Sequence, residues 1–267
     1  MKKAKILKYS FLALSVLVCM TACNKDENNE EPEGEQKNKI WTTDAIDVDL
    51  GLTSGTKWAK MNLGATNTWD YGDKYAWGEV ETKVDYSWET YKYCSGTMFT
   101  FTKYCSKESY GNNSFTDNLT TLESADDAAT VLLGSNYSTP TISDWNELCS
   151  QCYWVWTSDY NEQNVSGFIV FKAKSDGDKG IVICKRDTPS ESYSLSDVHI
   201  FLPAAGFRDG PVLKDANDEG NYWFASLDIN GIGPIQARYC NFYSYGLELA
   251  RSKTRCSGLS VRAVRHK

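Results

Sequence analysis

From Gly167 onward the chain is built of short runs that do not suit a helix. Residues 168–171, 180–184, 198–202, 222–226, 235–242 and 259–264 are rich in β-branched and aromatic side chains. Asp176-Gly177, Asp209-Gly210-Pro211 and Asn230-Gly231 break them apart. Apolar runs of this length, bounded by turn residues, predict strands. Upstream, Ile46, Val48 and Leu50 alternate with Asp47 and Asp49, again the period of a strand. Thr53-Ser54-Gly55 then turns the chain into a second short strand over 56–60, with Trp58 facing inward. The stretch 86–105 reads as a hairpin or paired loop around Ser95-Gly96.

Only two segments have helical character. The first covers 125–133, with Ser124 and Asp127 spaced as a capping box and Gly134 placed to end it. The second covers 142–151, after Pro140 and with Thr141 and Asp144 as its box. Trp145, Leu148 and Cys152 share one face of it. Strands and two short helices, with no internal repeat and no second linker, predict one α+β domain over 40–267.

The first 39 residues belong to a different regime. Lys2, Lys3, Lys5 and Lys8 precede a short apolar stretch, and Met20-Thr21-Ala22-Cys23 closes it. This order resembles a bacterial lipoprotein signal over 1–22, with lipidation at Cys23. Residues 23–39 form an acidic tether with too little apolar surface to offset its ordering entropy. Its start, Asn24-Lys25-Asp26-Glu27, resembles the surface-export signal of Bacteroidetes lipoproteins. The expected location is the outer membrane, lipid-anchored and exposed at the cell surface.

Charge narrows the partners. Residues 1–22 hold four lysines and no acids, so their removal takes the formal charge from -7 to -11. An acidic domain is poorly suited to nucleic-acid phosphates or to anionic lipid. Membrane attachment then falls to the anchor. Seven cysteines follow Cys23: Cys94, Cys105, Cys149, Cys152, Cys184, Cys240 and Cys256. An odd number leaves at least one unpaired within the chain. Cys94 and Cys105 flank the 86–105 hairpin and are candidates for a disulfide across it.

Several collinear blocks then carry a resemblance. They are Val48-Asp-Leu-Gly-Leu-Thr-Ser-Gly-Thr-Lys-Trp-Ala, Tyr71-Gly-Asp-Lys-Tyr-Ala-Trp-Gly-Glu79 and Leu122-Glu-Ser-Ala-Asp-Asp-Ala-Ala129. Pro140-Thr-Ile-Ser-Asp-Trp-Asn-Glu-Leu148, Cys152-Tyr-Trp-Val-Trp156 and Ile200-Phe-Leu-Pro-Ala-Ala-Gly-Phe-Arg208 continue it. Tyr222-Trp223 and Gly258-Leu-Ser-Val-Arg-Ala-Val264 complete it. Together they resemble the Fibrobacter succinogenes major paralogous domain (FISUMP) family. The resemblance implies a C-type-lectin-like fold, also used by formylglycine-generating enzymes. Two helices would flank small irregular antiparallel sheets. The strand at Val48 would pair with the strand ending at Val264.

Catalytic motifs are sparse. His199 and His266 are the only histidines, and neither stands in a nucleophile context. Cys149-Ser-Gln-Cys152 lies at the end of a helix rather than at its start, the wrong pole for an activated thiol. Asp215 to Gly220 matches the first half of a calcium loop, but Ser226 stands where the bidentate Glu belongs. Cys240 and Cys256 are far apart for a formylglycine-type pair. Glu79, Asp85, Asp126, Asp127 and Asp209 could supply paired carboxylates.

Aromatic residues make up 13% of the chain, enough to place some rings at the surface. The expectation is a non-enzymatic binding module for a glycan or a surface protein, without cofactor or metal. Trp154, Trp156, Tyr222 and Trp223 are the candidate contacts. Trp58 and Trp77 are expected as scaffold, and Trp69 stays open as a contact. The competing readings are a diverged enzyme, either a carbohydrate hydrolase or a formylglycine-type oxidase, and a structural envelope or pilus component.

Overall fold

Residue Trp58 sits at the centre of the sheet that gathers both ends of the domain. In this computed structural model, which describes residues 46–188 and 192–267, three short strands form that sheet. They are β1 (Asp47–Val48), β2 (Lys57–Ala59) and β12 (Val264–Arg265). The order is β1-β2-β12, with Val48 and Val264 on opposite sides of Trp58. The expected direct pairing of the Val48 strand with the last strand is therefore corrected: β2 lies between them. The middle position buries the Trp58 ring completely, edge-on to Trp145 at 4.9 Å. The signal, Cys23 and the acidic tether lie outside the described residues.

A four-stranded sheet runs in the order β5-β3-β4-β6. Its strands are β3 (Cys152–Thr157), β4 (Gly167–Lys172), β5 (Val182–Ile183) and β6 (His199–Pro203). Both faces of β3 and β4 are buried, so their sequences run as continuous apolar stretches rather than alternating. That is why β3 stands outside the strands expected from sequence. The third sheet has the order β11-β10-β9-β7-β8. It contains β7 (Ala205–Asp209), β8 (Val212–Ala216), β9 (Glu219–Leu227), β10 (Gln236–Tyr243) and β11 (Gly246–Thr254). Strands β7, β8 and β11 are also additions to the sequence reading. β8 is mostly exposed, and edge position removes the apolar periodicity that marks a strand.

The long strand β9 divides the interior. Tyr222 and Phe224 point into one core with Trp58, Trp145, Leu148, Trp154, Phe168 and Phe242. Trp223 and Leu227 point into another with Tyr75, Trp77, Tyr91, Phe101, Tyr104 and Leu259. Alternation along one strand thus serves two cores. Gly220 opens the strand for a steric reason: a Cβ there would meet the Phe242 ring at 2.0 Å. A third apolar layer lies on the other face of β3, β4 and β6. Tyr153, Ile169, Phe171 and Phe201 are buried there beneath Tyr160, with Trp69 and Tyr193 packed against them.

Helix α2 (Ile142–Gln151) has the expected bounds and both halves of its capping box. Thr141 N donates to Asp144 Oδ2 at 2.8 Å, and Asp144 N donates to Thr141 Oγ1 at 3.2 Å. The first helix is shorter than expected. A 3-10 turn occupies Ser124–Asp126, and α1 (Ala128–Leu133) follows. Asp127 is the cap itself, accepting from Ala129 N at 2.9 Å and from Thr139 N at 2.8 Å. Ser124 makes no capping bond, which corrects the Ser124–Asp127 box. Gly134 ends α1 at φ 98°. The described residues all belong to one compact unit, Trp41–Lys267.

Two arginines stitch the irregular parts together. Arg262 is fully buried and donates to Asn62 Oδ1 at 2.9 Å, Ala59 O at 3.1 Å, Lys60 O at 3.0 Å and Phe201 O at 2.8 Å. Arg255 is also fully buried and reaches Tyr91 Oη, Tyr104 O, Pro234 O and Lys103 O. Its guanidinium stacks on Phe101 at 4.2 Å. Truncating Arg262 leaves buried oxygens without donors. Arg262→Ala is expected to cost at least about 3 kcal/mol in urea denaturation. Arg262→Lys should recover little, because one ammonium cannot span four divergent acceptors. A loss below about 1 kcal/mol would contradict this role.

Candidate functional site

The four rings expected to contact ligand are structural. Trp154, Trp156, Tyr222 and Trp223 are 0%, 9%, 0% and 2% exposed. Their polar ends are used internally as well. Trp154 Nε1 donates to Leu148 O at 3.3 Å, Tyr222 Oη to Pro203 O at 2.8 Å, and Trp223 Nε1 to Tyr75 O at 2.8 Å. Trp156 packs edge-on to Phe168 at 5.2 Å. A ring without an open face cannot stack on a ligand, so these four positions are corrected to core. Trp58 and Trp77 are buried too, with Trp77 Nε1 on Phe224 O at 2.9 Å. Trp69 is half-buried.

The cysteines are free thiols among the described residues. Cys94 Sγ donates to Trp88 O at 3.1 Å and Cys105 Sγ to Lys107 O at 3.2 Å. The expected Cys94–Cys105 bridge is therefore corrected: a small hairpin does form, with Cys94 opposite Phe101, and backbone bonds hold it. Burial pushes the thiols of Cys149 and Cys152 up to about 12, opposite to what redox chemistry needs. Cys240 lies in the core beside Trp58 and Cys256 in the one beside Trp77, so they do not meet.

The carboxylates each have a local task. Glu79 accepts from Lys83 Nζ at 2.8 Å and Lys92 N at 2.8 Å. Asp126 receives Tyr93 Oη, Tyr104 Oη and Lys103 Nζ. Burial alone would raise the Asp126 pKa, but these donors outweigh it and hold it below its ordinary value. Asp209 pairs with Lys214 at 2.5 Å. Asp215, near the end of β8, and Asn217, in the turn to β9, take φ of 54° and 70°, and Asn217 Oδ1 accepts from Ser166 N at 2.7 Å. Among the described residues no three His, Cys, Asp or Glu side chains gather as a metal site.

Two clefts remain. One, about 290 Å³, is lined by Lys60, Thr68, Tyr160, Asn161, His199 and Phe201 among others. Strand β6 sets His199 at its start, and a 3-10 turn after β3 presents Tyr160. Tyr160 Oη and His199 Nε2 are 2.9 Å apart, and His199 Nδ1 lies 2.8 Å from Asp197 O. If the Nδ1 proton goes to that carbonyl, Nε2 is the acceptor and the phenol the donor. Tyr160 stacks flat on Phe201 at 3.9 Å. This cleft opens beside the third aromatic layer, where Trp69 follows Thr68 directly.

The other cleft, about 320 Å³, lies between Tyr71, Asp73, Lys74, Lys83, Tyr86 and Arg208. Burial pushes the Lys74 ammonium down to about 7; the Asp73 carboxylate opposes this and Arg208 adds to it. Neither cleft is legible in the sequence beyond the Tyr71–Glu79 block and the strand containing His199, because each joins segments over a hundred residues apart. Comparison with family models, with curated proteins and with solved structures returned no match.

The depressed Lys74 has a stability signature. Between about pH 7 and its unfolded value of 10.5, the folded state binds fewer protons than the unfolded state. Stability therefore rises with pH across that window. The difference between wild type and Lys74→Met should grow in the wild type's favour between about pH 7 and 9. Its slope should be at most about 1.4 kcal/mol per pH unit. Denaturant titrations at several pH values read this directly, and a flat difference would contradict it.

Proposed function

We propose that this chain is a surface-displayed lipoprotein whose folded domain is a non-enzymatic glycan-binding module. In this reading the domain is a FISUMP-family, C-type-lectin-like fold, held at the outer membrane through lipid on Cys23. The acidic tether spaces it from the bilayer. The observation that carries the binding role is the His199–Tyr160 cleft beside the third aromatic layer. It offers Lys60, Thr68, Asn161 and His199 as hydrogen-bonding groups next to the half-buried Trp69 ring. Polar groups of fixed geometry next to an aromatic face are what a sugar ring requires.

A second reading is a diverged carbohydrate hydrolase. The close Tyr160–His199 contact favours it, since that pair could move a proton. The two readings separate on turnover: a binder retains its ligand unchanged, whereas a hydrolase shortens it.

A glycan array and a surface-protein pull-down with residues 40–267 test the proposal. At least one glycan should bind. Trp69→Ala and His199→Ala should each weaken it about tenfold, near 1.4 kcal/mol. Arg251→Ala, on strand β11, should leave binding unchanged. No binding in either assay would overturn the module reading. On cells, Cys23→Ser should release soluble protein, and protease shaving should remove the domain. Protection of the domain would count against display.

A further inference from the structure

The turn at Tyr71-Gly72-Asp73 places a lysine where a lysine is costly. Gly72 takes φ +66°, and a Cβ there would lie 2.4 Å from Leu63 O. Backbone bonds from Asp73 N to Leu63 O at 2.8 Å and from Tyr75 N to Leu259 O at 2.9 Å clamp the residues on either side of Lys74. That backbone aims the side chain inward, and Lys74 is 6% exposed. An ammonium buried to this degree normally has a carboxylate partner.

Lys74 has none within ion-pair distance among the described residues. Its Nζ donates to Ser260 Oγ at 3.1 Å and to Tyr71 O at 3.4 Å, both neutral. An ammonium carries three protons, so one donor is left without an oxygen partner, with only the Tyr71 ring at 6.0 Å beside it. Asp73, the nearest acid, is exposed and bonded to the Tyr75 phenol.

The opposite wall brings a second cation of the same kind. Arg208, on β7, spends Nη1 on Pro211 O at 2.8 Å and makes no ion pair among the described residues. Its charge acts on Lys74, which places the two within electrostatic reach. Lys83, also on the wall, is neutralised by Glu79 at 2.8 Å. In its charged form Lys74 joins Arg208 as a second cation without an ion pair in one concave site, against the single exposed carboxylate of Asp73, and the pair focuses positive potential there. Tyr71, Tyr86 and Leu213 supply the apolar part of the lining. Tyr86 spends its hydroxyl on Lys74 O, leaving its ring as wall.

We propose that the cleft between Lys74 and Arg208 is an anion site that takes the carboxylate or sulfate of an acidic saccharide. The acid group sits between ammonium and guanidinium, and the sugar ring lies against Tyr71. A charge-assisted bond from each cation fixes its orientation. The volume is at the low end for small-molecule sites, roughly 300–1,000 Å³, and fits a single sugar unit rather than a length of peptide. The site shares no lining residue with the His199 cleft. It deepens the glycan-binding reading but is tested separately.

The test is ligand-observed NMR titration with galacturonic acid, galactose 6-sulfate and galactose. Galacturonic acid or galactose 6-sulfate should bind at least tenfold more tightly than galactose, and their order separates carboxylate from sulfate. Arg208→Gln should remove that preference. It alters a half-buried side chain, so the fold is retained and the test stands even where Lys74→Met fails to fold. Binding should tighten from pH 8.5 to pH 6, because the anion favours the charged form of Lys74. The groups facing Lys74 are Asp73, Arg208, Lys83 and the phenols of Tyr71, Tyr75 and Tyr86; burial pushes those phenols above their ordinary range, so they stay neutral. A titration of the Lys74 amine should show its midpoint moving up when galacturonic acid is added. Equal binding of galactose overturns the proposal, as does an acid preference that survives Arg208→Gln. So does binding of a polyglutamate peptide in place of all three sugars. If the His199 cleft is inert while this preference holds, the glycan reading moves here; if the preference fails while His199 variants lose binding, only the anion site falls.

Discussion

Two guanidinium groups, solvated by protein oxygens instead of water, hold the irregular parts of this domain in place. A loop-rich chain leaves many carbonyls outside any ladder, and burying them unpaired is expensive. Arg262 takes up three such carbonyls and one amide oxygen. They come from the end of β2 and from β6, so one side chain joins the small sheet to the four-stranded one. Arg255 does the same for the segment around Tyr104 and for Pro234. Burial lowers the Arg262 pKa to about 10, still far above neutrality, so it remains a cation. Among the described residues no carboxylate is a hydrogen-bond partner of it. The desolvation cost of the charge is offset by several bonds to neutral oxygens, each stronger for being charge-assisted.

The second organising device is the alternation along β9. Because its two faces serve different cores, aromatic rings are consumed on both sides. This accounts for much of the aromatic content without recourse to ligand. It also sets where recognition can occur. With the largest rings inside, the His199 and Lys74 clefts are lined in large part by lysine, arginine, histidine and tyrosine heads. The two clefts differ in character: one adjoins an aromatic layer, the other carries unpaired positive charge.

Parts of this were legible in the sequence because their causes are local. The Thr141–Asp144 box, the Gly134 stop and the runs that became β4, β6, β9 and β10 depend on neighbours a few residues away. The mixed α+β class follows from them. What was not legible depends on distant partners. Nothing in Cys152-Tyr-Trp-Val-Trp says that both faces of that strand are covered, since the cover comes from α2 on one side and from residues near Tyr160 on the other. Trp154 and Trp223 read as contacts for that reason. Arg262 sits in an alternating run and looks like an outward-facing polar residue, yet its acceptors lie up to two hundred residues earlier. Lys74 is the same case: a lysine in a turn reads as solvated until Ser260 is placed over it.

The order of the small sheet has a consequence for how the chain acquires its structure. The second edge of β2 waits for β12, and the Arg262 cage waits for residue 262. Neither can form on a nascent chain until residues 262–265 have left the ribosome. The domain therefore remains without its closing sheet until that point, and its slowest contacts are the ones that join residues about two hundred apart. Ending the chain before Arg262 would delete one edge of that sheet and, with Arg262, the cross-link behind it.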